Sequence, residues 1–240
     1  MLVRLFFEKN DKEVLIVMSI FGNDDVVCVC CKERMKPGSI SVRSGPIGVC
    51  RDCIKRFSPI PKENPIDGGA YVNYILSGFY FNDEMRKLLH RYKFGYEYKL
   101  GDLLAEMIYA NIDCVSEIKS FDIATAIPLS RKRFFQREFN QSEILAENIS
   151  KRLGIPFVKC VYRSRHTAAQ STLSARERTT NIINAFVADE RKVKGKKILL
   201  FDDTVTTGAT INECAHELKN KGATDIVGIS VAKVGTKVYY

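Results

Sequence analysis

The chain has 240 residues, of which 45% are hydrophobic and 27% are charged, and its formal net charge is +9. This length accommodates one full α/β domain and a small satellite. No apolar stretch reaches the roughly 18 uninterrupted residues that a membrane span needs, which excludes membrane insertion. Charged residues at 8–13 break the apolar runs of the amino terminus and no small-residue cleavage site follows, so we expect no signal peptide and a cytoplasmic chain.

Positive charge is concentrated between positions 131 and 178. This stretch holds eleven Lys or Arg against four Glu, so it contributes +7 of the total +9. A concentrated positive field attracts a polyanion, either pyrophosphate on a small ligand or a nucleic-acid backbone. A solubilising surface is the plain alternative, because runs of charge usually face water.

Residues 1–27 predict a hairpin-like extension. Two apolar runs, at 2–7 and 14–20, flank the polar segment 8–13, as in two strands joined by a turn.

Two Cys-x2-Cys pairs follow, Cys28 with Cys31 and Cys50 with Cys53. In a reducing compartment such pairs are typical of metal sites rather than disulfides, and free or redox-active thiols are the alternative. Four thiolates saturate tetrahedral zinc and leave no position for a water, so the predicted site is structural rather than catalytic. Zinc would stabilise a segment too small to hold a core. We therefore predict a zinc ribbon over 28–58.

Three prolines and a Gly-Gly pair mark a linker over 59–69, and an α/β pattern occupies 70–240. Continuous apolar runs alternate there with segments of helical periodicity, which favours a mostly parallel sheet flanked by helices. The runs predict strands at 71–76, 79–81, 123–127, 155–161, 198–201 and 226–232, and helices at 83–92, 100–112 and 140–153, with a further helix after 210.

The strand predicted at 198–201 ends in two carboxylates, Asp202 and Asp203, followed by a turn rich in hydroxyl groups. That turn can cradle a phosphate, because glycine lets backbone N–H groups turn inward and the next helix adds partial positive charge. Adjacent carboxylates repel each other, so a hydroxyl-rich or metal-bearing ligand suits them. A ribose with a 5′-phosphate fits both halves, whereas a solvated acidic turn is the alternative. The turn comprises Thr206, Thr207, Gly208, Ala209 and Thr210.

Asp-Asp-x-x-Thr-Thr-Gly-Ala-Thr after an apolar strand resembles the PRPP (5-phosphoribosyl 1-pyrophosphate) motif of type I phosphoribosyltransferases. With the cysteine pairs, the chain resembles the ComF family, competence-associated members of that fold with an amino-terminal zinc ribbon, from about residue 28 to 233. Two further segments match family signatures, although Glu138 replaces a glycine in the second. They are Lys93-Phe94-Gly95 and Arg137-Glu138-Phe139-Asn140-Gln141.

The resemblance implies a PRPP site in which Asp202 and Asp203 are catalytic and hold the ribose hydroxyls, the threonine-glycine turn holds the 5′-phosphate, and Mg²⁺ bridges pyrophosphate and ribose oxygens. A basic loop would hold pyrophosphate, and a flexible loop would close over PRPP, unless the latter is merely a disordered surface loop. The basic loop contains Ser130, Arg131 and Lys132, and the flexible loop contains Arg165, Thr167 and Gln170.

Two functions follow from the resemblance. The first is an accessory factor that binds PRPP and single-stranded DNA during natural transformation, in partnership with a DNA-uptake helicase or translocase. The second is an active phosphoribosyltransferase with an unidentified nitrogen acceptor. Eleven cations at 131–178 exceed the need of one small ligand and favour the first, while the loop that resembles a lid favours the second. Aromatic and basic residues at 92–98 would stack on bases or pack a helix end on the sheet.

Overall fold

The computed structural model describes residues 26–61, 65–112, 116–164 and 185–235. The hairpin-like extension predicted over 1–27 lies almost entirely outside these ranges. The predicted flexible loop, with Arg165, Thr167 and Gln170, also lies outside the described residues.

A small amino-terminal unit combines a four-stranded sheet with one short helix. Its elements are β1 (Val26–Cys28), β2 (Arg34–Met35), β3 (Ile40–Ser44), β4 (Ile47–Cys50) and α1 (Arg51–Ile54). The strand order is β2-β1-β4-β3, and β1 runs parallel to β4. Because both strands end at the same edge, the cysteines that close them, Cys28 and Cys50, come together there.

The main sheet has six strands, mostly parallel. The remaining strands of the chain are β5 (Ser58–Pro59), β6 (Ile66–Asp67), β7 (Tyr74–Tyr80), β8 (Ile123–Ala126), β9 (Val161–Arg163), β10 (Phe186–Ala188), β11 (Lys197–Val205) and β12 (Asp225–Lys233). The order is β5-β7-β12-β11-β8 with β6 also on β7. The four strands β7, β12, β11 and β8 are parallel, whereas β5 and β6 are antiparallel to β7. The segment predicted as a linker, 59–69, thus adds strand pairing to this sheet.

Helices cover both faces of the sheet. They are α2 (Asp83–Phe94), α3 (Lys99–Ile112), α4 (Arg131–Arg137), α5 (Gln141–Leu153), α6 (Glu190–Val193) and α7 (Ala209–Asn220), with 3-10 turns at Pro37–Ser39 and Ser116–Ser120. In β11, Leu199 and Phe201 join one buried cluster with α2, α3, α5 and the amino-terminal unit. Ile198 and Leu200 join a second cluster with α7. This burial on both faces explains why the apolar run is continuous rather than alternating.

Several predicted boundaries are confirmed. Helix α5 begins after Asn140, whose side chain accepts a hydrogen bond from the Ser142 N–H, and ends at Gly154 in the left-handed region. Within the described ranges, no helix combines the length and hydropathy needed to cross a bilayer.

The strand predicted at 155–161 is wrong in its bounds. Only Phe157 pairs there, in an isolated bridge with Ala124, and the strand β9 begins at Val161. Pro156 lacks an N–H donor and so cannot sustain a ladder on both sides. The chain instead continues to β9, which pairs with β10 in a separate antiparallel ribbon.

Candidate functional site

The two adjacent carboxylates lie inside β11, which continues past them to Val205. Asp203 is buried, and its Oδ1 accepts a hydrogen bond from Lys93 Nζ at 2.8 Å. The Arg137 Nη1 lies 3.5 Å from Asp203 Oδ2. Asp202 Oδ1 accepts from Ser142 Oγ at 3.3 Å and from the Asp203 N–H at 2.8 Å. The two carboxylates therefore have different partners, cations for Asp203 and neutral donors for Asp202.

These partners separate the two pKa values. Burial, reinforced by the neighbouring Asp203 charge, raises the pKa of Asp202 to about 7. Burial also disfavours the charged form of Asp203, but the charge and hydrogen bond of Lys93 outweigh it and hold the pKa of Asp203 below its usual value. At neutral pH the pair thus contains one ionised carboxylate and one group that is close to its titration point.

The threonine-glycine turn lies between β11 and α7. Gly208 has φ 77° and precedes the first residue of α7, a helix of 12 residues. The Ala209 N–H donates to Thr207 Oγ1 at 3.4 Å, which tightens the turn at the helix N-terminus. A Cβ at position 208 would be strained by this backbone conformation. The turn therefore presents hydroxyl groups and a helix N-terminus directly after the acid pair.

A cleft of about 250 Å³ joins these parts. Of the predicted residues, it is lined by Asp202, Asp203, Thr206, Thr210 and Ser130. Arg131 and Lys132, predicted for a loop, instead occupy the first turn of α4, where Ser130 is the N-cap, and they do not line the cleft. We name this space the acid cleft.

Four cations line the acid cleft, Lys93, Arg133, Arg137 and Arg163. Arg133 belongs to the basic loop predicted to hold pyrophosphate, whereas the other three are not among the predicted site residues. Lys93 and Arg137 did fall in segments that match family signatures, which was the signal available. The Nε atoms of Arg137 and Arg163 are buried without a partner among the described residues. Because their unused hydrogen-bonding groups are donors, this side of the cleft suits an anion.

The four cysteines predicted as metal ligands form one cluster, with their Sγ atoms all within 4.8 Å of one another. The Cys50 N–H donates to Cys28 Sγ at 3.5 Å, and the Cys53 N–H donates to Cys50 Sγ at 3.4 Å. Burial opposes ionisation of Cys28, but backbone N–H donors outweigh it and lower the pKa of Cys28 to about 7. Four thiols with this proximity and these donors could hold one tetrahedral metal ion such as zinc.

Helix α2 connects the cysteine cluster to the acid cleft. Arg91 Nη1 donates to the Val29 carbonyl at 2.6 Å, next to Cys28, and its Nε donates to Glu97 at 2.7 Å. Two residues further along α2, Lys93 reaches Asp203. One end of this helix is thus held by the amino-terminal unit and supplies a partner to the acid pair.

Comparison with known proteins assigns the chain to a family. Residues 140–237 match the phosphoribosyl transferase domain, a segment that contains the acid pair and the threonine-glycine turn. Over 225 residues the chain is 30% identical to Competence protein F of Haemophilus influenzae, and the aligned region covers 83% of this chain and 93% of that protein. The chain belongs to the ComF family.

A second relative agrees with the ComF assignment, and a solved structure shows a weaker likeness. The DNA utilization protein YhgH of Escherichia coli is 34% identical over 140 residues, 57% of this chain and 61% of that protein. A crystal structure of adenine phosphoribosyltransferase from Thermoanaerobacter pseudethanolicus aligns with a TM-score of 0.36 at 18% identity, over 64% of this chain and 87% of that one. The fold of this ComF protein is the type I phosphoribosyltransferase fold with an amino-terminal cysteine unit, as the sequence predicted; the matched domain and the cysteine cluster carry that assignment.

Proposed function

We propose that this ComF-family protein binds PRPP with Mg²⁺ in the acid cleft, binds single-stranded DNA on its basic surface, and serves DNA uptake in the cytoplasm of a transformable cell, where a helicase or translocase would be its partner. The observation that carries the proposal is the acid cleft itself. There an acid pair, a hydroxyl-rich turn and four cations face one space of about 250 Å³. The relatives named for competence and for DNA utilization support the DNA role.

Each part of the acid cleft suits one part of PRPP. Asp202 and Asp203 would accept hydrogen bonds from the ribose hydroxyls, and the turn from Thr206 to Thr210 would donate to the 5′-phosphate. Arg133, Arg163 and the Ser130 hydroxyl line the side where pyrophosphate would lie, with Arg131 and Lys132 adjacent on α4. Mg²⁺ that enters with PRPP would offset the charge of the pyrophosphate.

The cysteine cluster would hold a structural Zn²⁺ through Cys28, Cys31, Cys50 and Cys53. Four sulfur ligands leave no open coordination position, so the ion would stabilise the fold rather than take part in chemistry. Backbone N–H groups that donate to the sulfurs favour the thiolate form that zinc requires.

Calorimetric titration with PRPP and Mg²⁺ tests the PRPP site. We expect binding by the zinc-loaded protein and a loss of at least about 100-fold in an Asp202→Asn, Asp203→Asn double variant, since each carboxylate would lose a charge-assisted contact. The matched control is Asp52→Asn with Asp83→Asn, which removes two negative charges at carboxylates that are 89% and 83% exposed. Unchanged affinity in the cleft variant would refute the assignment.

A second candidate function is phosphoribosyl transfer to a nitrogen acceptor. The observation in its favour is Asp202, whose pKa of about 7 suits a group that accepts a proton near neutral pH. Loss of pyrophosphate would leave an oxocarbenium-like ribose, which the ionised Asp203 would stabilise. The test is pyrophosphate release from PRPP, measured with and without free bases or single-stranded DNA. Release that depends on an acceptor and disappears in Asp202→Asn supports turnover; binding without release supports the accessory role.

A further inference from the structure

Large aromatic side chains are exposed in two neighbouring segments beside the acid cleft. The most exposed is Phe135 of α4, at 81%. One segment begins at the end of α2 and the other lies in and after α4. They are neighbours because Arg137 Cζ lies 5.1 Å from the centre of the Phe94 ring, and the centres of the Tyr98 and Phe139 rings, packed edge to face, are 4.7 Å apart. We name the set the aromatic strip; its members are Phe94, Tyr96, Tyr98, Phe134 and Phe135.

The segment 94–98, which carries three of the five members of this strip, contains an unusual backbone conformation. Tyr96 has φ 54° although it is not glycine, and it is 55% exposed. A large aromatic residue in the left-handed region costs conformational energy, and Tyr96 is still more than half exposed. The structure thus presents this ring to solvent at a cost, which is expected of a contact residue rather than of a core residue.

A groove runs along the same face of α4. Its volume is about 480 Å³, and Phe134, Phe135 and Arg131 form part of its walls. Pro128 and Leu129 line both this groove and the acid cleft, so the two spaces share a wall. Asn140 adds an amide and Glu143 a carboxylate at the groove, and the charge of Glu143 is offset by Lys159, whose Nζ lies 2.7 Å from Glu143 Oε2. The groove therefore offers aromatic faces, a cation and polar atoms together.

Most of the charge of α4 has no ion-pair partner among the described residues. The helix carries four cations at positions 131, 132, 133 and 137 and no acidic residue. Arg137 turns inward to Asp203, whereas Arg131 and Lys132 are exposed. Neither of these two side chains makes an ion pair within the part of the chain that the structure describes. Their charge is available to a polyanion at the edge of the aromatic strip.

We infer that the outer face of α4 and the aromatic strip form the surface that binds single-stranded nucleic acid, with bases stacked on Phe134 and Phe135 and backbone phosphates on Arg131 and Lys132. This inference rests on the proposed function and assigns its DNA role to particular residues. Exposed aromatic faces select unpaired bases, since the bases of a duplex are already stacked, and interleaved cations follow the phosphate backbone. The shared wall at Pro128 and Leu129 places the bound strand at the mouth of the acid cleft.

Fluorescence anisotropy with a labelled oligothymidylate at low salt tests the stacking contacts. We expect Phe134→Ala with Phe135→Ala to weaken binding by at least about tenfold, and Phe135→Tyr to retain it, because the tyrosine ring also stacks. The matched control is Tyr162→Ala, an aromatic residue of β9 outside the strip that is 48% exposed; it should bind as the unaltered protein does. An unchanged thermal midpoint in this double variant would show that its loss of binding is not a loss of folding.

Salt titration of the same complex tests the phosphate contacts. Lys132→Ala with Arg131→Ala should reduce the slope of log affinity against log salt by about 1.4, since each phosphate contact on a single strand contributes about 0.7. Arg191→Ala removes a cation whose side chain is 91% exposed on α6 and should leave the slope unchanged.

Failure of this surface and failure of the proposed function give different results. If the unaltered protein binds no oligothymidylate at low salt, the DNA role and this surface are both refuted, while PRPP binding is tested separately. If it binds and the Phe134, Phe135 double variant binds equally well, the surface is wrong and the DNA role stands. Equal displacement by poly-glutamate and by unlabelled oligothymidylate would show attraction by charge alone and would overturn the stacking contacts.

Discussion

The cysteine cluster and the acid cleft both bring like groups together, but they differ in how those groups are compensated. The four thiols lie within 4.8 Å of one another and receive hydrogen bonds from backbone N–H groups. In the acid cleft, by contrast, Asp203 is compensated by side chains of the chain itself, Lys93 and Arg137. The comparison teaches that the thiols are offset by neutral backbone donors, so that a bound cation would complete their compensation, whereas Asp203 is held by cations of the chain before any ligand arrives.

Removal of one cysteine ligand should give the largest effect. We expect Cys53→Ser to lower bound zinc from one ion per chain to a small fraction and to unfold the amino-terminal unit, because metal binding contributes roughly 10 kcal/mol or more to the folding of small zinc units. Metal analysis of the purified protein, with amide hydrogen exchange over β1 and β4, measures both effects.

The matched control for the cysteine cluster is Cys30→Ser. Cys30 lies between two ligands in the sequence but outside the group of four, and burial raises its pKa to about 12. This variant should keep its zinc. Equal loss of zinc in Cys30→Ser and Cys53→Ser would contradict the assignment of the ligands.

The internal compensation of the acid pair can be broken at Lys93. Lys93→Met should destabilise the protein by about 3 kcal/mol, since it leaves the carboxylate of Asp203, only 10% exposed, without its closest cation. Lys93 lowers the pKa of Asp203, so the stability that this pair provides is present above the unfolded pKa of about 4 and is lost as pH falls. The loss in the variant should therefore be undiminished between pH 8 and pH 5 and should shrink below about pH 4, as measured by urea unfolding.

An exposed pair provides the control for Lys93→Met. Lys87 bonds to Glu84 at 3.0 Å, but its side chain is 64% exposed, so Lys87→Met should cost less than about 0.5 kcal/mol. A similar cost for both variants would show that burial does not distinguish the acid pair.

The two regions also differ in how far the sequence predicts them. The Cys-x2-Cys pairs identify the ligands by spacing, and parallel pairing of two short strands brings them together. The run at 198–201 and the turn after it identify the acid pair equally well. The ion pair of Asp203 could not be predicted in this way. Lys93 lies 110 residues earlier in the chain, and no local periodicity links two side chains at that separation.

Local sequence did not predict how the cations near the acid cleft are divided. The segment predicted as a basic loop, with Ser130, Arg131 and Lys132, instead begins a helix that runs to Arg137, with Ser130 as its N-cap. Helical spacing then directs Arg133 and Arg137 to the acid cleft and leaves Arg131 on the neighbouring groove. One turn of helix thus divides a uniform run of charge between two sites.

Asp202 accepts hydrogen bonds from neutral donors only, and its raised pKa predicts a pH dependence of stability that is opposite in sign to that of Asp203. Its pKa of about 7 in the folded protein lies above the unfolded value of about 4, so the unfolded chain releases this proton first. Stability should therefore fall as pH rises from about 4 to about 7 and level off above. Asp202→Asn should raise the free energy of unfolding at pH 8 in the absence of ligand by about 2 kcal/mol, which is half of the roughly 4 kcal/mol that a shift of about three pKa units represents, because the asparagine amide is also costly to bury. The proposed PRPP binding is lost in the same variant.

Urea unfolding between pH 5 and pH 8 measures the contribution of Asp202. The difference between Asp202→Asn and the unaltered protein should shrink towards pH 5, where the carboxyl group of Asp202 keeps its proton in the folded state. A difference that is the same at pH 5 and pH 8 would contradict the raised pKa. Asp225→Asn, at a partly exposed carboxylate of β12, controls for a general change in net charge.

The smallest expected effect concerns Glu138, which occupies the position of a glycine in the ComF signature. Glu138 has φ 65° and ends α4 in the left-handed region, a conformation that costs a residue with a Cβ about 1 kcal/mol. Glu138→Gly should therefore stabilise the protein by about 0.5 to 1 kcal/mol in urea unfolding. Glu138→Ala removes the same charge but keeps the Cβ, so it should give no such gain. Gly154→Ala is the reverse test, since Gly154 has φ 73° with nothing within 4 Å of an added Cβ, and it should lose about 1 kcal/mol through backbone strain alone. If Glu138→Ala stabilised as much as Glu138→Gly, charge rather than backbone conformation would set the cost of ending α4 beside the acid cleft.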